Sequence, residues 1–213
     1  MIRVAKSEIV PQSLLNTSSY NGHDVQQQLL QDQHKKCYIC ECEVEPNFHI
    51  EHLNSRAANR QDWDNLFLSC GYCNERKLRL FDNILNPATY NIEEIIEQRL
   101  DREKKTAVFK SQNIQIGITE TIQLLERLYN TRFSNPKLRG PHERLFWDKV
   151  ERSINDFLRK VYDYGMNKSD EKKKSVQEEL SIDKPFLGFK YWIIKDNPEL
   201  LAVFGNDIKW NKQ

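Results

Sequence analysis

Cys37-Tyr38-Ile39-Cys40 and Cys70-Gly71-Tyr72-Cys73 frame the stretch on which the reading of this chain turns. Two Cys-x-x-Cys pairs supply four thiolates, the number a tetrahedral zinc ion takes. Each pair can sit on a tight knuckle and present both sulfurs to one ion. We therefore expect one structural Zn²⁺ on Cys37, Cys40, Cys70 and Cys73. The chain has five cysteines, and the fifth, Cys42, is expected to be a bystander beside the first knuckle. Inside the frame lie His49-Ile50-Glu51-His52 and Trp63-Asp64-Asn65-Leu66, and behind the second pair come Asn74 and Lys77.

The surrounding chain sets the class. A length of 213 residues suits one or two domains with a real core. Charged residues make up 30% and hydrophobic ones 38%, the balance of a helix-rich protein with a solvated surface. A net charge of +1 neither points to nucleic acid nor excludes it, so a phosphate-binding surface has to come from local clustering. Met1-Ile2-Arg3-Val4-Ala5-Lys6 lacks the apolar core of a signal peptide. No run is long enough to span a bilayer, so no membrane association is expected. The expected compartment is a reducing cytoplasm, where paired cysteines are metal ligands more often than disulfides.

Outward from the frame, Ile2 to Val10 alternates weakly and is expected as an edge strand ended by Pro11. Val25, Leu29 and Leu30 suggest a short helix over 24–34. Phe48 to Leu53 reads as a strand, Leu66-Phe67-Leu68 as a brief apolar run, and 74–81 as a short basic helix. The remainder reads as helical. Its stripes are Ile92, Ile95, Ile96 and Leu100; then Ile118, Ile122, Leu125 and Tyr129; then Phe146, Val150, Phe157 and Val161; then Phe186, Phe189, Trp192 and Ile193. Charge rises and apolar periodicity pauses between Asp101 and Gln112. We expect a boundary there, with 1–100 as one module and 101–213 as a helical, partner-docking region. Phe186, Trp192 and Trp210 are its candidate docking aromatics, with filling of this protein's own core as the equal alternative.

The residues inside the frame have the chemistry of phosphodiester hydrolysis. A histidine near neutral pKa can take a proton from water. A Mg²⁺ or Mn²⁺ ion prefers oxygen ligands and can stabilise the leaving oxygen. His52, Glu51 and Asn74 suit these roles. On a strand, Glu51 and His52 point to opposite faces, so both serve one site only if the strand ends or twists there. His49 shares a face with Glu51. Arg56, Arg76 and Lys77 are candidates for phosphate contacts.

Glu51-His52, Asn65-Leu66 and Cys70-x-x-Cys73-Asn74 with Lys77 resemble the HNH endonuclease signature, in its variant with a final asparagine. The resemblance implies an α+β, mainly helical protein: a zinc-braced ββα-metal nuclease module with a helical C-terminal region. It implies that His52 is the general base and that Glu51 and Asn74 bind the catalytic Mg²⁺ or Mn²⁺. Asn65 would brace the hairpin loop or orient His52.

Cys37-Tyr38-Ile39-Cys40-Glu41, His49-Ile50-Glu51-His52 and Trp63-Asp64-Asn65-Leu66-Phe67-Leu68-Ser69-Cys70 are similar to one branch of that family. It is the HNH nuclease subunit of Septu and retron-associated anti-phage defence systems. Thr121 to Leu125 and Pro185 to Phe189 also look like that branch. Leu53-Asn54-Ser55-Arg56 departs from it, because the branch commonly carries an aromatic and a basic-proline segment there. The resemblance implies DNA cleavage beside an ATPase with an ABC-type, SMC-like head, with a retron reverse transcriptase and its nucleic acid as further partners. RNA, including tRNA, is the alternative substrate. Two non-catalytic alternatives stand beside it: a zinc-knuckle nucleic-acid-binding module, and an adaptor whose zinc unit is only a staple.

Overall fold

In the computed structural model, which describes residues 1–16, 19–44, 46–130 and 136–210, the frame residues fold into a hairpin and a helix. Strand β1 (His49–His52) pairs antiparallel with β2 (Leu66–Ser69), with His49 opposite Ser69 and His52 opposite Leu66. Helix α3 (Gly71–Lys77) follows β2 directly. β2 is buried along its length, because Leu66 and Leu68 face one side of the hairpin and Phe67 the other, and both sides are covered. Helices α1 (Gln12–Asn16) and α2 (His23–Asp32) precede the hairpin, and α2 sets Val25 and Leu29 into the core.

The rest is mainly helical. α5 (Ile116–Asn130) and α6 (Pro141–Met166) carry the second and third stripes. α6 starts cleanly because Pro141 stands in its first turn and the Glu143 carboxylate accepts the Gly140 N–H at 2.8 Å. α7 (Asp170–Glu179) begins at Ser169, α8 (Leu187–Lys195) carries the fourth stripe, and α9 (Pro198–Phe204) begins at Asn197, whose side chain accepts two backbone N–H groups. One apolar cluster joins Ile39, Leu66, Phe67, Leu125, Tyr129, Phe146 and Phe189. A second joins Phe157, Val176, Leu187, Phe204 and Trp210.

Several expectations need correction. Residues 2–10 form no strand. Ile2 and Val4 are buried without a partner strand, and the segment is tied down singly, by Val4 N–H on the Pro87 carbonyl and by the Trp63 indole on the Ser7 carbonyl. The stripe from Ile92 to Leu100 is not one helix. Helix α4 stops at Ile95 (Ile92–Ile95), and β3 (Glu97–Asp101) then pairs antiparallel with β4 (Thr106–Lys110). Ala107 and Phe109 point inward at period two, and the charged run between the strands is a turn with Lys105 at φ 54°. This hairpin runs through the stretch where a boundary was expected, and the first apolar cluster takes residues from both sides of it. For the aromatics of the C-terminal segment, the structure has the core alternative. Phe186 and Trp210 are buried, and the Trp192 indole donates to the Glu93 and Ile96 carbonyls.

The knuckles and the C-terminal helices meet at Glu41, which follows Cys40 with φ 62°. Its carboxylate accepts the N–H groups of Leu187 at 2.7 Å and Gly188 at 3.1 Å, buried donors in the first turn of α8 that have no partner within the helix. It also pairs with the Met1 ammonium at 2.7 Å. Gly188 admits the Gln98 side chain so closely that a β-carbon would collide with it.

Candidate active site

The four framing sulfurs converge. All lie within 4.8 Å of one another, and the Cys40 and Cys70 sulfurs are 3.7 Å apart. A tetrahedral ion with Zn–S bonds of about 2.3 Å separates its sulfurs by about 3.8 Å, so the cage fits zinc. Burial pushes the Cys37, Cys40 and Cys73 thiols well up, while hydrogen bonds from those three hold Cys70 down. Loading zinc therefore releases protons from thiols that would otherwise keep them. Cys42 stays outside the cage. Its N–H points at the Cys40 sulfur at 3.5 Å and its carbonyl accepts the Cys37 N–H at 2.8 Å, which closes the knuckle. Tyr38 stacks on Phe67 and Tyr72 on Phe146, so both tyrosines pack the frame.

β1 ends at His52, and its last two side chains diverge. His52 turns toward the loop between the strands, where its Nε2 lies 2.9 Å from the Arg60 carbonyl oxygen. A carbonyl only accepts, so Nε2 carries the proton and Nδ1 is left with a lone pair. The Tyr20 ring meets the imidazole edge-on at 4.6 Å. The ring is covered but shallow. Burial lowers its pKa first, the positive charges of Arg60 and Lys77 add to this, and the Arg60 carbonyl opposes it. His52 is therefore neutral at pH 7, with one nitrogen free to accept a proton.

The loop that supplies Arg60 is braced by Asn65. The Asn65 amide oxygen accepts the Asn54 N–H at 2.7 Å and its NH₂ donates to the Asn54 carbonyl at 3.0 Å. The main chain adds Leu53 N–H on the Asn65 carbonyl at 2.8 Å. Ser55 is held by Asp82 through backbone and hydroxyl, and Arg56 pairs with the same carboxylate at 3.3 Å. Among the sequence candidates, Asn65 thus acts on the loop and reaches His52 only through it.

Glu51 points the other way, into the angle between the hairpin and α3. Lys77 extends back from the last turn of α3, and its ammonium lies 3.1 Å from Glu51 Oε1 and 3.1 Å from the His52 carbonyl. Lys77 is fully buried, which corrects its candidacy for a phosphate contact: no backbone phosphate can reach it in this conformation. Arg76 instead stacks over Tyr72 at 3.7 Å. Burial raises the Glu51 pKa, and Lys77 with the Ser69 and Tyr38 hydroxyls draws it back. Glu51 Oε2, Ser69 Oγ and Tyr38 OH are all buried, and none makes a hydrogen bond of normal geometry.

Asn74 stands half-buried one turn after Gly71 and one turn before Lys77, on the stripe of α3 that faces β1. Gly71 itself adjoins His49, since a β-carbon there would lie 3.6 Å from Nε2. The structure thus brings Glu51, Asn74 and the exposed His49 to one side of the hairpin and His52 to its end. Glu51 Oε2, which makes no hydrogen bond of normal geometry, and the amide oxygen of Asn74 are hard oxygen donors, which fit a divalent cation of the magnesium class. Tyr20, Arg60 and the hydroxyls of Tyr38 and Ser69 were not among the sequence candidates. Ser69 lies opposite His49 in the register and Tyr38 lies between two ligand cysteines, so both were findable. Nothing in the spacing announces Tyr20.

Neither the curated proteins nor the solved structures yield a match to this chain. Residues 37–79, which span the cysteine frame, the hairpin and α3, match the family model described as HNH endonuclease.

Proposed function

We propose that the protein is a metal-dependent endonuclease that hydrolyses phosphodiester bonds of DNA, with His52 as its general base. The supporting observation is the state of His52. It is neutral, its Nε2–H is committed to the Arg60 carbonyl, and its Nδ1 lone pair is uncommitted. A water attacking phosphorus gives its proton to that nitrogen. Arg60 keeps the ring in one tautomer and one orientation, and Asn65 keeps Arg60 in place. A divalent cation, when bound by Glu51 and Asn74, supplies charge neutralisation at the phosphate and the leaving oxygen. By the resemblance of the knuckles and of 121–125 and 185–189, we place this nuclease in an anti-phage defence complex with an ABC/SMC-like ATPase.

The test is cleavage of plasmid DNA and of structured RNA, with Mg²⁺ or Mn²⁺, by the protein alone and co-purified with its neighbouring ATPase. His52→Ala should cut about 10²–10⁴-fold more slowly with its zinc content unchanged. Added metal should partly rescue Glu51→Ala and Asn74→Ala but not His52→Ala. Equal rates for wild type and His52→Ala overturn the assignment of the base. Cleavage of RNA alone moves the substrate to RNA. A wild type inert under every condition replaces the nuclease with a binding module. Separate elution of the two proteins after co-expression removes the ATPase.

A further inference from the structure

Glu51 has one negative charge and, in this structure, already one partner. The Lys77 ammonium lies 3.1 Å from Oε1, is closed off from solvent, and makes its other bond to the His52 carbonyl. Among the described residues the second carboxylate oxygen makes no hydrogen bond of normal geometry, and the Tyr38 and Ser69 hydroxyls beside it are neutral neighbours that bring no compensating charge. A divalent cation bonded to Oε2 would stand within a few ångström of a buried ammonium. One carboxylate cannot neutralise both in a covered site, where like charges are weakly screened.

The backbone next to Lys77 offers a way out. α3 stops at Lys77, and Leu78 follows at φ 49° and ψ −156°, a region that costs a side-chain-bearing residue dearly. Leu78 is also half exposed, and its tie to the helix is its N–H on the Asn74 carbonyl, a bond of the same last turn. Unwinding the last turn of α3 would relax Leu78 and withdraw Lys77 in one movement.

We propose that Lys77 is a resident counter-ion for Glu51 which an incoming divalent cation displaces, so that metal entry exchanges an ammonium for a metal ion at one carboxylate and loosens the end of α3. This rests on the nuclease reading for its choice of metal, but it concerns binding and is tested by binding. Zinc-loaded full-length protein is titrated with Mn²⁺, followed by calorimetry and electron paramagnetic resonance. Lys77→Met should bind one Mn²⁺ at least tenfold more tightly than wild type. The double variant Glu51→Gln/Lys77→Met should lose that site. In wild-type protein, Mn²⁺ should speed amide hydrogen exchange at residues 76–79. Equal or weaker Mn²⁺ binding by folded Lys77→Met overturns the proposal. If Lys77→Met does not fold, unchanged exchange at 76–79 in wild type overturns it. Mn²⁺ binding in the expected pattern by a protein that cleaves nothing keeps the exchange and removes the nuclease. Cleavage without the pattern does the reverse.

Discussion

Tyr20 lies edge-on against His52, ring centroid to ring centroid 4.6 Å, and so a residue ahead of α2 covers the imidazole at the end of β1. Burial is the largest cause of the lowered His52 pKa. Tyr20→Ala uncovers the ring and should raise that pKa toward its ordinary value of 6.5. Because the proposed base works in its neutral form, the acid limb of the pH–rate profile should move to higher pH, with loss of rate near pH 6 and little change at pH 8. Tyr20→Phe keeps the ring and should leave the profile in place. A nuclear magnetic resonance titration of the His52 ring protons checks the shift without any cleavage assay, and equal midpoints in Tyr20→Ala and wild type would refute it.

The zinc cage should carry much of the stability of the hairpin. Structural zinc contributes about 10–16 kcal/mol of apparent binding energy in small modules, as much as many whole domains hold. Cys70→Ser should purify without stoichiometric zinc and lose the cooperative melt of wild type. Cys42→Ser should retain the metal and melt within a few degrees of wild type, since Cys42 contributes backbone groups to the knuckle. Elemental analysis beside thermal melting decides, and a zinc-free wild type of undiminished stability would sink the cage.

Asn65→Ala deletes both side-chain bonds to the Asn54 main chain, whose residue is exposed so that water can replace them. The net loss of such a bond costs about 0.5–1.5 kcal/mol. Urea unfolding should show a loss of that order. The rate of cleavage should fall less than in His52→Ala, because the imidazole remains and only the loop that orients it slackens. A loss of rate equal to that of His52→Ala, with stability unchanged, would give Asn65 a direct chemical role.

Glu93, in α4, is nearly sealed from solvent and accepts the Arg3 N–H at 2.9 Å. Burial raises its pKa from 4.5 to about 7. A carboxyl with a higher pKa when folded binds its proton more tightly in the folded state. Its stabilising contribution is therefore complete below about pH 4.5 and is lost as pH rises to about 7. Glu93→Gln should remove this slope and be more stable than wild type at pH 8 by roughly 1–3 kcal/mol. Denaturant unfolding at pH 5 and pH 8 checks it, and parallel slopes in the two proteins would rule it out.

What could be read ahead of the structure followed from repetition and spacing. The cysteine pairs located the cage, and the long apolar periods of α5 and α6 located their helices. The β3–β4 hairpin was hidden because Ile92, Ile95 and Ile96 mimic helical spacing up to the point where Gln98 must enter the core to meet Gly188 and Met1. That bond is long-range and leaves no local pattern. In the site, the types of Glu51, His52, Asn65 and Asn74 were legible, but their directions were not. Lys77 looked like a surface base on a polar helix, and only the packing of α3 against β1 turns it inward. Tyr20 is brought to His52 across the whole of α2 and the first knuckle, a contact that no spacing encodes.

Glu41 sits one residue beyond a zinc ligand and holds the opening turn of α8 by two N–H groups. When the ion leaves, the knuckle loses its shape, and the anion that offsets the positive pole of α8 goes with it. Zinc supply would thus govern the far C-terminal face together with the hairpin. A molecule short of zinc would slacken at the knuckles and at the start of α8 as one unit, with neither able to stay built without the other.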